Sequence, residues 1–271
     1  MKSLTISRFP ELDYACTEAL NTLCTNLSFC GSDNHVVMFT SRYEQEGKSS
    51  IAMNVMRTLA GFGKKVLLID ADLRRSSLAR RFRFVFDMKK SQGLAQYLAG
   101  MCPLTEVIYE TDIPNAYILP AGRDVINSMQ LLASSRFGEI FELIKDVYDM
   151  IIIDTPPAGV IVDAIEIARH CDGAVLVVGY NTGNGRDLGE VVANITKTGC
   201  PVLGAVLNGV DLNTFRNRRY YRSGYYHSYY KVYGDKAEKI EPVDTSAKPP
   251  KSAESGKTAK PTKGTKVPKD K

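Results

Sequence analysis

The sequence predicts an α/β fold, a mainly parallel sheet with helices on both faces, followed by a disordered C-terminal tail. Three observations carry this. Short apolar runs alternate with stretches of helical periodicity, a pattern that needs parallel strands joined by right-handed crossover helices. One run leads through a polar loop into Gly47-Lys48-Ser49-Ser50 at the head of a helix. Two others end in aspartates, Asp70-Ala71-Asp72 and Asp154, and ligand sites of open α/β sheets lie at such strand ends.

Taken in order, residues 10–29 read as an amphipathic helix with Leu12, Ala15, Ala19, Leu23, Asn26 and Leu27 near one face, ended by Gly31. A strand over 36–40 follows, then the polar loop, then a helix with Ile51, Val55 and Leu59 on one face. Within residues 64–82 a buried strand, Val66 to Ile69, ends in Asp70-Ala71-Asp72. Two carboxylates there are costly to bury without partners, which a metal–nucleotide complex would supply. Residues 91–100 read as a short helix, 116–120 as a strand, and Ser128 to about Asp146 as a helix. Met150 to Ile153 form a third apolar strand ending in Asp154, an acid placed to hold a metal directly or through water. A helix over Val162–Cys171, a strand over Gly173–Gly179, a helix over Leu188–Thr198 and a strand over Val202–Leu207 complete the alternation.

Composition excludes several classes. With 271 residues, 44% hydrophobic and 24% charged, the chain suits one large α/β domain. Arg8 and Pro10-Glu11 interrupt any apolar leader, and no apolar run approaches the ~18 residues of a membrane span, so membrane contact is expected through a partner. The net charge of +5 belongs to the tail: residues 241–271 hold eight lysines against four acids, leaving +1 for the rest. That distribution argues against nucleic-acid binding. The six cysteines have no C-x-x-C spacing and there are three histidines, so reduced thiols are expected rather than zinc or disulfides.

The loop before the helix carries the chemistry. A helix N-terminus presents unpaired N–H groups and the positive end of the dipole, which suits a phosphate. Lys48 would reach the β- and γ-phosphates and the Ser49 hydroxyl would ligate Mg²⁺. The match to G-x-x-x-x-G-K-[ST] is imperfect: Arg42 holds the first glycine position, and Glu44 and Glu46 disfavour phosphate unless they face solvent.

EGKSS, VLLIDADLRR and IIIDTPP, in this order and spacing, resemble the deviant-Walker P-loop ATPases. Within them the chain is similar to the bacterial tyrosine kinases of capsular and exopolysaccharide systems, in their two-chain form with a separate membrane activator. The leader EALNTLCTNLSF and the run YYRSGYYHSYYKVY support that branch, and the likeness covers roughly residues 10–233. The resemblance implies a P-loop NTPase-like fold and ATP with Mg²⁺ as cofactors. Residues 1–35 become a helical leader packed on a kinase domain of residues 36–213, with a tyrosine-rich cluster at 214–234 and a disordered lysine-rich tail at 235–271. Lys48, Asp70, Asp72 and Asp154 are the expected catalytic residues. Glu46, Gly47, Lys48, Ser49, Ser50 and Asn208 are the expected nucleotide contacts, with amides across 43–49 on the phosphates and Asn208 on the adenine side. Ser49, Asp72 and Asp154 are expected at the metal. Asp70 is expected to take the proton of the attacking tyrosine, whose hydroxyl has a pKa of ~10.

Tyr220, Tyr221, Tyr225, Tyr226, Tyr229, Tyr230 and Tyr233 are the expected phosphoacceptors; interleaved with arginines and lacking any packing period, they make a poor core and a good substrate. The implied partners are the cytoplasmic segment of a membrane-anchored polysaccharide co-polymerase activator, further copies of the chain in a ring, and protein substrates of sugar-nucleotide metabolism. The implied location is the cytoplasm, recruited to the inner face of the membrane. At the family's E-x-x-R-x-x-R positions this chain has Glu18, Asn21 and Cys24, so both arginines are missing. Two alternatives stay open: a MinD/ParA-like ATPase switch, though Tyr43 stands where its signature lysine would be, and a nucleotide-binding docking subunit with little kinase activity.

Overall fold

The computed structural model describes residues 2–30, 35–86, 92–123, 125–180, 182 and 185–211. The tyrosine cluster and the lysine-rich tail lie outside these residues.

Among the described residues nine strands form one sheet. In chain order they are β1 (Lys2–Ile6), β2 (Val36–Ser41), β3 (Val66–Asp70), β4 (Phe84–Val85), β5 (Tyr109–Thr111), β6 (Ala116–Leu119), β7 (Met150–Asp154), β8 (Gly173–Gly179) and β9 (Val202–Asn208), arranged β4-β1-β5-β6-β3-β7-β2-β8-β9. The pairings β3–β6, β3–β7, β2–β7, β2–β8 and β8–β9 are all parallel. Only β1–β4 and β5–β6 run antiparallel. The expected sheet is therefore present, with an antiparallel margin that sequence reading did not include.

The helices are α1 (Tyr14–Phe29), α2 (Lys48–Gly61), α3 (Leu78–Arg81), α4 (Leu94–Leu98), α5 (Ser128–Leu132), α6 (Ser135–Ile144), α7 (Asp163–Ala168) and α8 (Gly185–Thr196). Strands β2, β3, β7 and β8 are near-continuous apolar runs buried on both faces, as buried parallel strands must be. Val36, Met38, Leu67 and Ile69 share one core with Phe137 and Ile140 of α6 and Ile195 of α8. Val37, Phe39, Val66 and Leu68 share the other with Leu20 and Cys24 of α1 and Met53 and Met56 of α2. At about 25 cal/mol per Å² of apolar surface, these two interfaces are the chief stabilising contribution.

Local departures have local causes. The single helix expected over 128–146 breaks at Ala133-Ser134, where Ser134 in extended conformation starts α6 afresh. In α1, Asp13 caps the first turn by accepting from the Cys16 N–H at 2.7 Å. The buried face of α1 runs through Leu20, Cys24 and Leu27 rather than Ala19 and Asn26, which are exposed. The leader also contributes more than a helix: β1 joins the sheet beside β5, with Lys2 opposite Tyr109.

Candidate functional site

The order β3-β7-β2 sets three strand ends side by side. Asp70 at the end of β3 lies in register with Asp154 at the end of β7, which in turn pairs with Phe39 of β2, just before the loop. Residues far apart in the chain thereby meet. Lys48 Nζ stands 3.5 Å from Asp72 Oδ2 and 4.0 Å from Asp154 Oδ1, and it donates to Ser49 Oγ at 3.4 Å. Lys48, Ser49, Asp70, Asp72 and Asp154 are brought together as expected. Ser50 lies one turn into the helix start, its carbonyl accepting from Asn54.

Three acids around one lysine leave negative charge to be balanced. Burial, and next the Asp154 charge, push the Asp70 carboxyl up to about 8. Burial likewise pushes Asp154 up to about 6, against the pull of Lys48. Asp154 Oδ1 is buried with no hydrogen-bond partner. An orphaned carboxylate oxygen beside a lysine, a serine hydroxyl and a second aspartate is an oxygen-rich donor set of the kind Mg²⁺ takes. The residues present therefore fit a metal–nucleotide complex.

The loop is built differently from a glycine-rich one. Glu46 does not face solvent: it is 4% exposed. Its Oε2 accepts from the Arg42 and Tyr43 N–H groups at 2.8 and 2.9 Å. Its Oε1 accepts from the Gly179 N–H at 3.2 Å and the Thr182 hydroxyl at 2.8 Å. Facing solvent is therefore not the only way this carboxylate can be kept from a phosphate. Its charge is spent on the loop's own donors, so the N–H groups of Arg42 and Tyr43 are engaged within the loop. Glu44 does face outward, where Arg75 Nη1 donates to it at 3.2 Å.

Two left-handed residues turn the loop, Gln45 (φ 64°) and Gly47 (φ 96°). Gly47 is required twice over, because a Cβ there would lie 2.0 Å from Asn208 Nδ2. Asn208 donates instead to the Glu46 carbonyl at 2.9 Å, so it braces the loop. Arg42, at the missing first glycine, pairs with Asp187 of α8 and lies over the Tyr43 ring at 4.4 Å.

Sequence reading missed three further groups. Asp163, at the start of α7, accepts from Arg74 Nε and Nη2 at 2.8 and 2.9 Å and from the Ser128 hydroxyl at 2.8 Å. Burial works to raise the Asp163 pKa, but the Arg74 and Ser128 hydrogen bonds outweigh it and hold it below the usual range. Ser76 donates to Asp70 Oδ2, and Thr182 ties β8 to the loop. Asp163 stands six residues beyond Pro157 with no motif around it; only an acid at a helix start marked it.

Comparison with known proteins adds names to this geometry. A family model described as an AAA domain matches residues 40–179. The tyrosine-protein kinase CpsD of Streptococcus agalactiae is 38% identical over 194 residues, covering 72% of this chain and 83% of that protein. Among solved structures, the kinase domain of the Escherichia coli tyrosine kinase ETK aligns with a TM-score of 0.69 at 29% identity, over 73% of this chain and 77% of that one. The septum site-determining protein MinD of Pyrococcus horikoshii, complexed with Mg-ADP, aligns with a TM-score of 0.56 at 28% identity, over 64% and 71%.

Proposed function

Since the chain belongs to the bacterial tyrosine-protein kinases, we propose that it transfers the γ-phosphoryl group of ATP to the tyrosines of its own C-terminal cluster, residues 220–233. The observation that carries this is the meeting of Lys48 with Asp70, Asp72 and Asp154 at three adjacent strand ends, with one buried Asp154 oxygen that accepts no hydrogen bond. When bound, Mg²⁺ neutralises and orients the triphosphate that supplies the phosphoryl group. Ser49, Asp72 and Asp154 would hold the metal, and Lys48 with the amides following Tyr43 would hold the phosphates. Glu46 and Asn208 keep those amides in place. Asp70 takes the phenolic proton as the new bond forms. A loose phosphoryl transition state asks for little beyond such positioning and charge neutralisation.

The wider reading follows the family. The kinase serves capsular or exopolysaccharide synthesis and export, and the cytoplasmic segment of a membrane-anchored activator recruits it to the inner face of the membrane. Among the described residues no helix is long and apolar enough to cross a membrane. Proteins of sugar-nucleotide metabolism are the expected external substrates. At the ring position, Glu18 accepts from Asn21 at 3.1 Å and Cys24 is buried against α2, so a self-assembly contact through this helix would differ from the arginine-based one.

The test is peptide mapping after incubation with Mg-ATP and the activator segment. Phosphotyrosine at positions 220–233 in the wild type, and none in Lys48→Met, is the expected outcome. ATP hydrolysis without phosphotyrosine would favour a MinD-like switch, and nucleotide binding with neither activity would leave a docking subunit.

A further inference from the structure

The group assigned as proton acceptor is closed off from solvent. Asp70 is 1% exposed, and both its oxygens are engaged. Oδ1 accepts from the Asp72 N–H at 3.3 Å and Oδ2 from the Ser76 hydroxyl at 2.5 Å. Ser76, in contrast, is exposed on the loop that follows. The serine oxygen is therefore the solvent-facing member of the pair and the carboxylate the buried one. A serine hydroxyl has one proton to give and two lone pairs to receive with. When Asp70 is ionised the serine proton is committed to it, which leaves a lone pair for a second donor.

We propose that Ser76 is a catalytic proton relay between the acceptor tyrosine and Asp70. The proposal rests on Asp70 as the final proton acceptor. As the tyrosine oxygen bonds to the γ-phosphorus and the bond from that phosphorus to the β–γ bridging oxygen breaks, the phenolic proton moves to Ser76 Oγ. The proton already on Ser76 moves to Asp70 Oδ2. Serine ends as a hydroxyl, Asp70 as a neutral acid and the leaving oxygen on ADP, so nothing is oxidised or reduced. Asp70 later returns its proton to water through the same hydroxyl. The opposite arrangement, in which the phenol displaces Ser76 from Asp70, predicts the opposite sign on removal of the hydroxyl.

The experiment uses the full chain with its activator segment and compares Ser76→Ala, Ser76→Thr and Asp70→Asn with the wild type. Ser76→Ala should lower kcat by about 100-fold, within the usual range for one general acid–base step. Mg-ATP affinity, measured by calorimetry, should stay unchanged. Ser76→Thr, which keeps the hydroxyl, should recover most of the lost rate. A proton inventory in mixed H₂O and D₂O should show two protons in flight for the wild type. A Ser76→Ala enzyme as fast as wild type, or faster, overturns the relay, as does one that no longer binds nucleotide. An active Asp70→Asn variant would remove the acceptor itself, a failure distinct from that of the serine.

Discussion

Glu46 offers the sharpest perturbation outside the acidic cluster. Its carboxylate is buried and takes four donors: two loop amides, the Gly179 amide and the Thr182 hydroxyl. Glu46→Gln preserves shape but turns one acceptor oxygen into an N–H₂ group that faces donors. Placing the N–H₂ group at the Thr182 end relieves part of this, because that hydroxyl can donate to the Gly179 carbonyl at 2.7 Å and accept from the amide, but the Gly179 N–H is still left facing a donor. The Gly179 N–H loses its acceptor and the two loop amides exchange a charged acceptor for a neutral one, and a buried group left unmade costs about 1–3 kcal/mol. A total near 3 kcal/mol, which is a factor of roughly 150 in an equilibrium constant, is a reasonable expectation. The loss should divide between folding stability and Mg-ATP affinity, since the same loop serves both. Thermal unfolding with and without nucleotide, together with calorimetric titration, separates the two. Glu46→Gln with wild-type melting temperature and wild-type affinity would refute the reasoning that this carboxylate shapes the loop.

Other outcomes follow from the same geometry. Without metal, Asp70 and Asp154 have folded-state pKa values above the unfolded ones, so the folded protein binds more protons and stability falls as pH rises from about 4 to about 8; melting curves should show this, and Asp70→Asn should flatten it. Asp163→Ala strips Arg74 and Ser128 of their partner; with Arg74 half exposed, about 1–2 kcal/mol is expected, read as a melting temperature several degrees lower. Restoring the family's arginines should be asymmetric: Asn21→Arg is tolerated on a partly exposed position, whereas Cys24→Arg places a charge in a fully buried one and costs about 3 kcal/mol or more. Equal melting temperatures for those two variants would contradict the placement of α1.

Much of the fold was legible because its signals are local. Val66–Asp70, Met150–Asp154 and Gly173–Gly179 are apolar runs with a polar stop, and buried parallel strands have that form. The strand Lys2–Ile6 was not, because five residues with two buried side chains, Leu4 and Ile6, make a weak period and its partner lies at Tyr109. The three aspartates could be named from strand ends, and the lysine from the Gly47-Lys48-Ser49 turn at a helix start. The supports could not: Ser76, Asp163 and Thr182 matter through partners 6, 89 and 136 residues away, and no spacing rule joins them. The role of Glu46 was not legible for a physical reason. A carboxylate in a phosphate loop is read as repulsive until its four donors are seen.

The most direct measurement is intact-mass spectrometry of the purified protein after Mg-ATP and activator, before and after phosphatase. The account predicts a ladder of added phosphates that phosphatase collapses and that Lys48→Met never forms. A single unmodified mass in the wild type, under conditions where nucleotide is bound, would contradict it.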